Sequence, residues 1–425
     1  MQQKDSMKKV IVSGMIGNAL EWYDFALYGH FATIISKLFL PMNSFDKYTA
    51  LIITYSIFAA GFLMRPLGGI LFGYIGDKYG RKSSLVASIL MMAIPTACIG
   101  LLPTHQQIGI LAPIMLVIIR LLQGLSLGGG FSGCIAFTIE HAPDNKRGLA
   151  GSASIFSMCA GILIGLGIAI LLSHSLPEKD FETWGWRIPF IISIFIGFIG
   201  LYIKNHLHES PVYLQAKKEG HLSATPMKEV LTTYLPEVMT AVGIYLTVTV
   251  PFYTLMIFMN SYMTQILGRP IKEALLMNTI SILVHMAFLP FASALSDKIG
   301  RKPILVASSL SFLVLTYPIF LSLAQPGIIV PLLGQVVFGI ILAFYMSPVP
   351  AILVELFPTS VRFSGIAVSY NLSAAIFGGS TPAVALWLIK STQMNHALAF
   401  YIMLFAGLSL ISLYYFRDKF NQPLA

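Results

Sequence analysis

The chain has 425 residues, of which 56% are hydrophobic and only 11% charged. A water-soluble domain carries about a quarter of its residues as Asp, Glu, Lys and Arg, so that class is excluded, as are a disordered chain, a collagen-like repeat and a disulfide-stapled module. The formal charge of +9 would point to nucleic acid in a soluble protein, but its distribution along this chain has another meaning.

A spanning helix needs about 20 mostly apolar residues to cross the hydrocarbon of a bilayer. Twelve such runs are predicted, at 10–36, 49–73, 83–102, 108–134, 151–173, 188–204, 236–259, 273–295, 304–324, 328–350, 365–389 and 397–416. The first follows Lys8 and Lys9, contains Glu21 and Asp24, and has no small-residue cleavage site. It therefore reads as a retained helix and not a signal peptide. The longest polar stretch, 205–235, follows the sixth run. It predicts an all-α membrane protein of two six-helix bundles, 1–204 and 236–425, joined by a cytoplasmic linker.

With both termini taken as cytoplasmic, eighteen of the 27 Lys and Arg lie at inner ends of spans and seven at outer ends. Basic residues stay on the cytoplasmic side, so this bias sets the orientation. Counting acids as well, the inner segments carry +7 and the outer +2, and the four charges within spans, Glu21, Asp24, Arg65 and Arg120, cancel. The excess is a signature of topology, and no nucleic-acid partner is expected. Cys98, Cys134 and Cys159 lie in or beside apolar runs without metal-ligand spacing, as small packing residues do. No Walker loop, metal-binding helix motif or nucleophile elbow is present. An enzyme, a metal and a cofactor are not expected.

Two patterns recur. Gly73-x-x-x-Asp77-Lys78-x-Gly80-Arg81-Lys82 follows the second run, and Ser293-x-x-x-Asp297-Lys298-x-Gly300-Arg301-Lys302 follows the eighth, 220 residues later. Glu140-x-x-Pro143 with Arg147 returns 215 residues later as Glu355-x-x-Pro358 with Arg362. Parallel six-helix repeats imply a pseudo-two-fold axis along the membrane normal, with a substrate path between the halves.

The Asp77 to Lys82 loop, its copy at Asp297 to Lys302 and the twelve-span plan resemble the major facilitator superfamily over essentially the whole chain. Narrower motifs are Gly17-Asn18-Ala19-Leu20-Glu21-Trp22-Tyr23-Asp24-Phe25, Arg65-Pro66-Leu67-Gly68-Gly69, Arg120-Leu121-Leu122-Gln123-Gly124, Trp184 to Phe190, and Glu355-Leu356-Phe357-Pro358-Thr359 leading to Tyr370-Asn371. Together they resemble the metabolite:proton symporters, whose members carry citrate, 2-oxoglutarate, shikimate, other dicarboxylates, proline and glycine betaine. In many of these the run after the fourth-span arginine reads Gly-Gly-Glu, whereas this chain has Gly128-Gly129-Gly130. The missing acid places the weight of proton coupling on Glu21 and Asp24.

Ionisable groups inside a bilayer are costly, and are functional or paired. Glu21 and Asp24, three residues apart, share a helix face with Tyr28. Two readings stand: a carboxyl that takes up and releases the coupling proton, or an ion pair with a basic residue on a neighbouring helix. Arg120, whose repeat counterpart is the neutral Gln335, offers a fork for a substrate carboxylate, or neutralises the first-span acids. Gln123 one turn on, with Trp22 and Tyr28, completes the expected substrate-binding set. Aromatic walls favour a quaternary ammonium, although packing explains each ring singly. His30, His285 and the glycines Gly161, Gly165 and Gly167 read as packing residues.

The resemblance also implies a cytoplasmic gate built from Asp77, Arg81, Glu140 and Arg147 in the first half and Asp297, Arg301, Glu355 and Arg362 in the second. The expected function is proton-coupled uptake of proline or glycine betaine across a bacterial inner membrane by a monomer, with its substrate, protons and lipid as partners. A di- or tricarboxylate is the alternative and an exporter of the same fold a third. The chain stops about nine residues after the last span, so no tail-mediated osmotic activation is expected.

Overall fold

A computed structural model of the chain describes residues 7–40, 46–79, 81–140, 142–206, 226–358, 361–422 and 424. Most of the expected linker, and the side chains of Asp77, Arg81 and Glu140, lie outside the described set. The described residues form helices and turns and no strand. A bilayer demands this of an apolar chain, because a helix satisfies its backbone N–H and C=O groups internally.

The first span comprises α1 (Met7–His30) and α2 (Ala32–Phe39), and the second α3 (Lys47–Leu63) and α4 (Arg65–Tyr79). The third is α5 (Arg81–Leu101), the fourth α6 (Leu111–Leu127) with α7 (Gly130–Glu140), the fifth α8 (Arg147–Ser175) and the sixth α9 (Arg187–His206). In the second half, α10 (Leu235–Tyr253) is followed by α11 (Ile271–Ile299), α12 (Arg301–Leu323), α13 (Ile329–Met346) and α14 (Val349–Leu356). The chain ends with α15 (Arg362–Ser373), α16 (Thr381–Thr392) and α17 (Ala397–Tyr415). Nine helical stretches among the described residues are long and apolar enough to cross a membrane. The other three expected spans fall on α1, α5 and α9.

Five spans expected as single helices are interrupted, at Phe31, Met64, Gly128–Gly129, Ser347–Pro348 and a π turn over Ala374–Gly378. The seventh is also longer than expected. Pro251 lacks an N–H, and the π turns Thr254–Phe258 and Tyr262–Ile266 carry the helix on to Ile266. This span is buried over 94% of its apolar window, against 44–56% for the other eight. It runs through the centre of the molecule, while helices such as α12 turn one side to lipid.

Within the first half, α1 packs on α8, α5 on α6 and α9, and α3 on α6; within the second, α13 packs on α11 and α12, and α17 on α10 and α12. The halves meet along two seams, α8 against α11 and α3–α4 against α15–α16. Glycine permits the closest crossings: a Cβ at Gly161 would overlap the Ala19 carbonyl, whereas one at Gly167 would meet nothing within 4 Å. Gly300, at φ 98°, makes the turn between α11 and α12. There the Asp418 carboxylate accepts from the N–H groups of Arg301 and Lys302 at 2.7 and 2.9 Å, capping α12.

Candidate functional site

Span 1 turns its polar side chains toward different neighbours. Asp24, 1% exposed, accepts through Oδ1 from the Ser193 hydroxyl of α9 at 2.5 Å, and its Oδ2 has no partner. Tyr23 donates to the Pro189 carbonyl in the same helix at 2.9 Å. Glu21 is buried with Oε1 unpartnered, and its Oε2 stands where a side chain at Gly130 would stand. Trp22, Phe25 and Tyr28 face other groups altogether.

Arg120 is fully buried on α6. Its guanidinium carbon lies 4.6 Å from the centre of the Tyr28 ring and 4.8 Å from those of Phe25 and Phe58, within cation–π range. One terminal nitrogen donates to Gln123 Oε1 at 2.7 Å, and Gln123 Nε2 donates to Thr96 at 2.6 Å. The other terminal nitrogen and Nε make no hydrogen bond. Tyr28 uses its hydroxyl on the Thr54 carbonyl, so it offers Arg120 only its ring.

A second buried arginine, which sequence reasoning placed in a span without assigning it to the site, opens α4. Arg65 donates through Nε to Asn371 Oδ1 at 3.2 Å, and its guanidinium carbon lies 4.6 Å from the Tyr370 ring and 5.3 Å from that of Phe62. Both of its terminal nitrogens are unpartnered. The available signal was the repeat, since the position 220 residues after Arg65 is His285, whose Nδ1 lies 2.9 Å from the Gly339 carbonyl. Among the described residues no ion pair joins Arg65 or Arg120 to Glu21 or Asp24.

Aromatic rings from both halves fill the space between these groups. Trp22 meets Phe252 edge-on at 5.5 Å and lies 6.5 Å from Tyr253, and Tyr253 meets Phe62 at 5.2 Å. Across the outer ends, Lys390 pairs with Asp46 at 2.8 Å, Lys47 donates to the Gln265 carbonyl at 2.9 Å, and Tyr55 and Ser261 are hydrogen-bonded at 2.7 Å. Hydrogen bonds from Lys390 and Thr49 hold the Asp46 carboxyl below the usual range.

The opposite ends, expected to face the cytoplasm, are joined as well. Asp297 Oδ1 and Oδ2 accept from the N–H groups of Gly148 and Leu149, each at 2.9 Å, at the N-terminus of α8 in the other half. Arg301 holds Asp297 at 2.6 Å and Glu355 at 3.2 Å, and Arg147 lies 3.8 Å from Glu355. Arg362 binds the carbonyls of Val354 and Phe357, both at 3.1 Å. The other expected gate residues, Asp77, Arg81 and Glu140, have side chains outside the described set. With both ends joined, the apolar interstice between the halves that is lined in part by Phe131, Tyr245 and Met346 is too tight to admit a water molecule. The cysteines are free, and no cluster of metal-ligating side chains occurs among the described residues.

Comparison with known proteins bears on the fold and the family. The family described as Sugar (and other) transporter matches residues 10–230, and that described as Major Facilitator Superfamily matches 238–424. The glycine betaine/proline/ectoine/pipecolic acid transporter OusA of Dickeya dadantii (strain 3937) is 36% identical over 98% of this chain and 85% of its own length. The proline/betaine transporter of Escherichia coli (strain K12) has the same identity and coverage. Among solved structures, a D-xylose-proton symporter superposes with a TM-score of 0.74 at 20% identity, covering 96% of each chain. The proton:xylose symporter XylE bound to 6-bromo-6-deoxy-D-glucose gives 0.80 at 17% identity over 98% of this chain and 97% of that one. The helices, the repeat and these matches over both halves lead to one assignment: this chain is a multi-pass membrane transporter and belongs to the major facilitator superfamily.

Proposed function

We propose that this transporter takes up a small zwitterion of the proline or glycine betaine kind together with protons across a bacterial inner membrane, with both termini cytoplasmic. The observation that carries the reading is Arg120, a buried guanidinium with unpartnered N–H groups enclosed by Phe25, Tyr28 and Phe58. A carboxylate pairs with such a fork, while a methylated or ring ammonium packs against aromatic faces. One site thus recognises both ends of a zwitterion. Gln123 orients the guanidinium, and Trp22 closes the aromatic wall toward the second half. The names of the relatives, proline/betaine transporters, support the same substrate class.

Glu21 and Asp24 carry the proton in this reading. Both are buried acids with an unpartnered oxygen, and among the described residues neither is held in an ion pair. The Asp297, Arg301, Glu355 and Arg147 cluster closes the inner gate, with Arg362 bracing it and Asp77, Arg81 and Glu140 as the first-half counterparts. The two six-helix halves, 1–204 and 236–425, rock about the seams to expose the site to each side in turn, and one chain suffices.

A second reading, an organic dianion, is favoured by the presence of two buried guanidiniums, Arg65 and Arg120. Radiolabelled uptake into proteoliposomes under an imposed pH gradient separates the two. Proline or glycine betaine should accumulate and collapse on addition of a protonophore, with citrate, 2-oxoglutarate and shikimate excluded. Accumulation of the anions alone would overturn the zwitterion reading.

A further inference from the structure

Arg65 is the feature that this function leaves unused. It is fully buried at the break between α3 and α4, with two unpartnered terminal nitrogens and no acid paired to it among the described residues. Its depth relative to Arg120 follows from helix packing. A Cβ at Gly61 would lie 2.7 Å from the Arg120 carbonyl, so Arg120 is level with Gly61, and Arg65 sits four residues, or about 6 Å, deeper toward the cytoplasm. Phe62 lies beside both levels: its ring is 5.3 Å from the Arg65 guanidinium and 5.0 and 5.2 Å from Phe25 and Phe58, which enclose Arg120.

The two arginines differ in what encloses them. Among the described residues the rings stacked on the Arg120 guanidinium, Phe25, Tyr28 and Phe58, belong to the first half, whereas the partners of Arg65 include Tyr370 and Asn371 of the second, and Asn371 in turn donates to the Gly128 carbonyl at 3.0 Å. Separation of the inner ends strips Arg65 of these contacts and exposes its fork on the inward side. The geometry points to Arg65 as a second carboxylate-binding residue, which receives the substrate's carboxylate from Arg120 one turn deeper before release to the cytoplasm. This rests on the carboxylate-bearing substrate proposed above.

The test compares Arg65→Gln, Arg65→Lys, Arg120→Gln and Asn371→Ala with the wild type in proteoliposomes, each first checked for a monodisperse profile in detergent. Glycine betaine KM is measured from the outer face by uptake and from the inner face by efflux. Arg65→Gln should raise the inner-face KM at least tenfold and the outer-face KM less, Arg120→Gln should do the reverse, and Arg65→Lys should recover part of the loss. Asn371→Ala, which removes the Nε partner together with the bond to the Gly128 carbonyl but leaves the Arg65 fork in place, should leave both KM values within threefold. Wild-type KM on both faces in Arg65→Gln overturns the inference, as does an equal rise in Arg65→Gln and Asn371→Ala, which would make Arg65 a seam anchor. If the wild type takes neither zwitterion, the substrate reading falls by itself. The same variants are then read with whichever anion of the panel is transported, and an unchanged KM there overturns the role of Arg65.

Discussion

The carboxylate of Glu21 occupies the volume that a side chain at Gly130 would fill. The resemblance to the metabolite:proton symporters implies an acid at that place on the fourth span; here the acid approaches the same point from the first span, and the glycine makes room for it. The two positions are complementary, so changing one has consequences for the other.

Gly130→Ala should push the Glu21 carboxylate aside. Because a flexible side-chain end yields, the loss of stability should be about 1 kcal/mol or less, read as a small fall in Tm, while the pH profile of uptake changes. In a Glu21→Gly background, proton-driven accumulation should fail, and adding Gly130→Glu should restore part of it by returning an acid to the same place. No recovery in the double variant would separate the two positions functionally.

Asp24→Asn should abolish accumulation against a gradient while leaving counterflow exchange partly intact, because the side chains around Arg120, namely Phe25, Tyr28, Phe58 and Gln123, do not include Asp24. Ser193→Ala, which removes the hydrogen bond to Oδ1, should shift the pH at which uptake is half-maximal without abolishing it. Undiminished accumulation in Asp24→Asn would count against its coupling role.

At the inner gate, Asp297→Ala removes two acceptors from the N-terminus of α8, a contact of the helix-capping kind worth about 0.5–2 kcal/mol. The population should shift toward inward-open, seen as greater spin-label separation between the inner ends of α8 and α11. Glu355→Gln is expected to cost about 1.5–3 kcal/mol, the range for a lost hydrogen bond to a charged group, because Arg301 keeps Asp297 and Arg147 keeps the Gln422 carbonyl. The comparison is read from thermal unfolding of the purified proteins.

At the outer end, the Asp46 carboxyl is held below its ordinary value by hydrogen bonds from Lys390 and Thr49. A depressed carboxyl favours the joined state at every pH above the ordinary carboxyl range, and this contribution is lost only as external pH falls through the depressed value. Asp46→Asn should therefore raise the outward-open fraction equally at external pH 6 and 8, measured by modification of a cysteine introduced beside Ser261. The pair is exposed, so high salt should weaken it in the wild type and have no effect in the variant.

The charged residues of the site were legible in the sequence because a charge inside an apolar run is conspicuous: Glu21, Asp24 and Arg120 are each found in this way. Their directions were not. Positions 21, 24 and 28 fall within about 60° on a helix of 3.6 residues per turn, and that narrow arc straddles the boundaries between neighbouring helices. Asp24 consequently meets Ser193, Glu21 meets Gly130, and Tyr28 meets Arg120. Arg65 was visible as a charge, but its partner Asn371 lies 306 residues away, and no local pattern links them.

The sequence by itself determined the number of spans and the internal repeat, and it set the expectation for their orientation. Each depends on a property summed along a short stretch of chain: apolar length against bilayer thickness, basic residues at helix ends, or a motif recurring at a fixed offset. Only the tertiary structure decided where the spans break, that the seventh is buried over nearly all its apolar length, that both ends of the path are joined, and that Arg65 stands at the seam a turn away from the level of Arg120. Those features arise from contacts between residues distant in the chain, such as Asp297 with Gly148 and Lys390 with Asp46, whose energies exist only once the two halves are packed together.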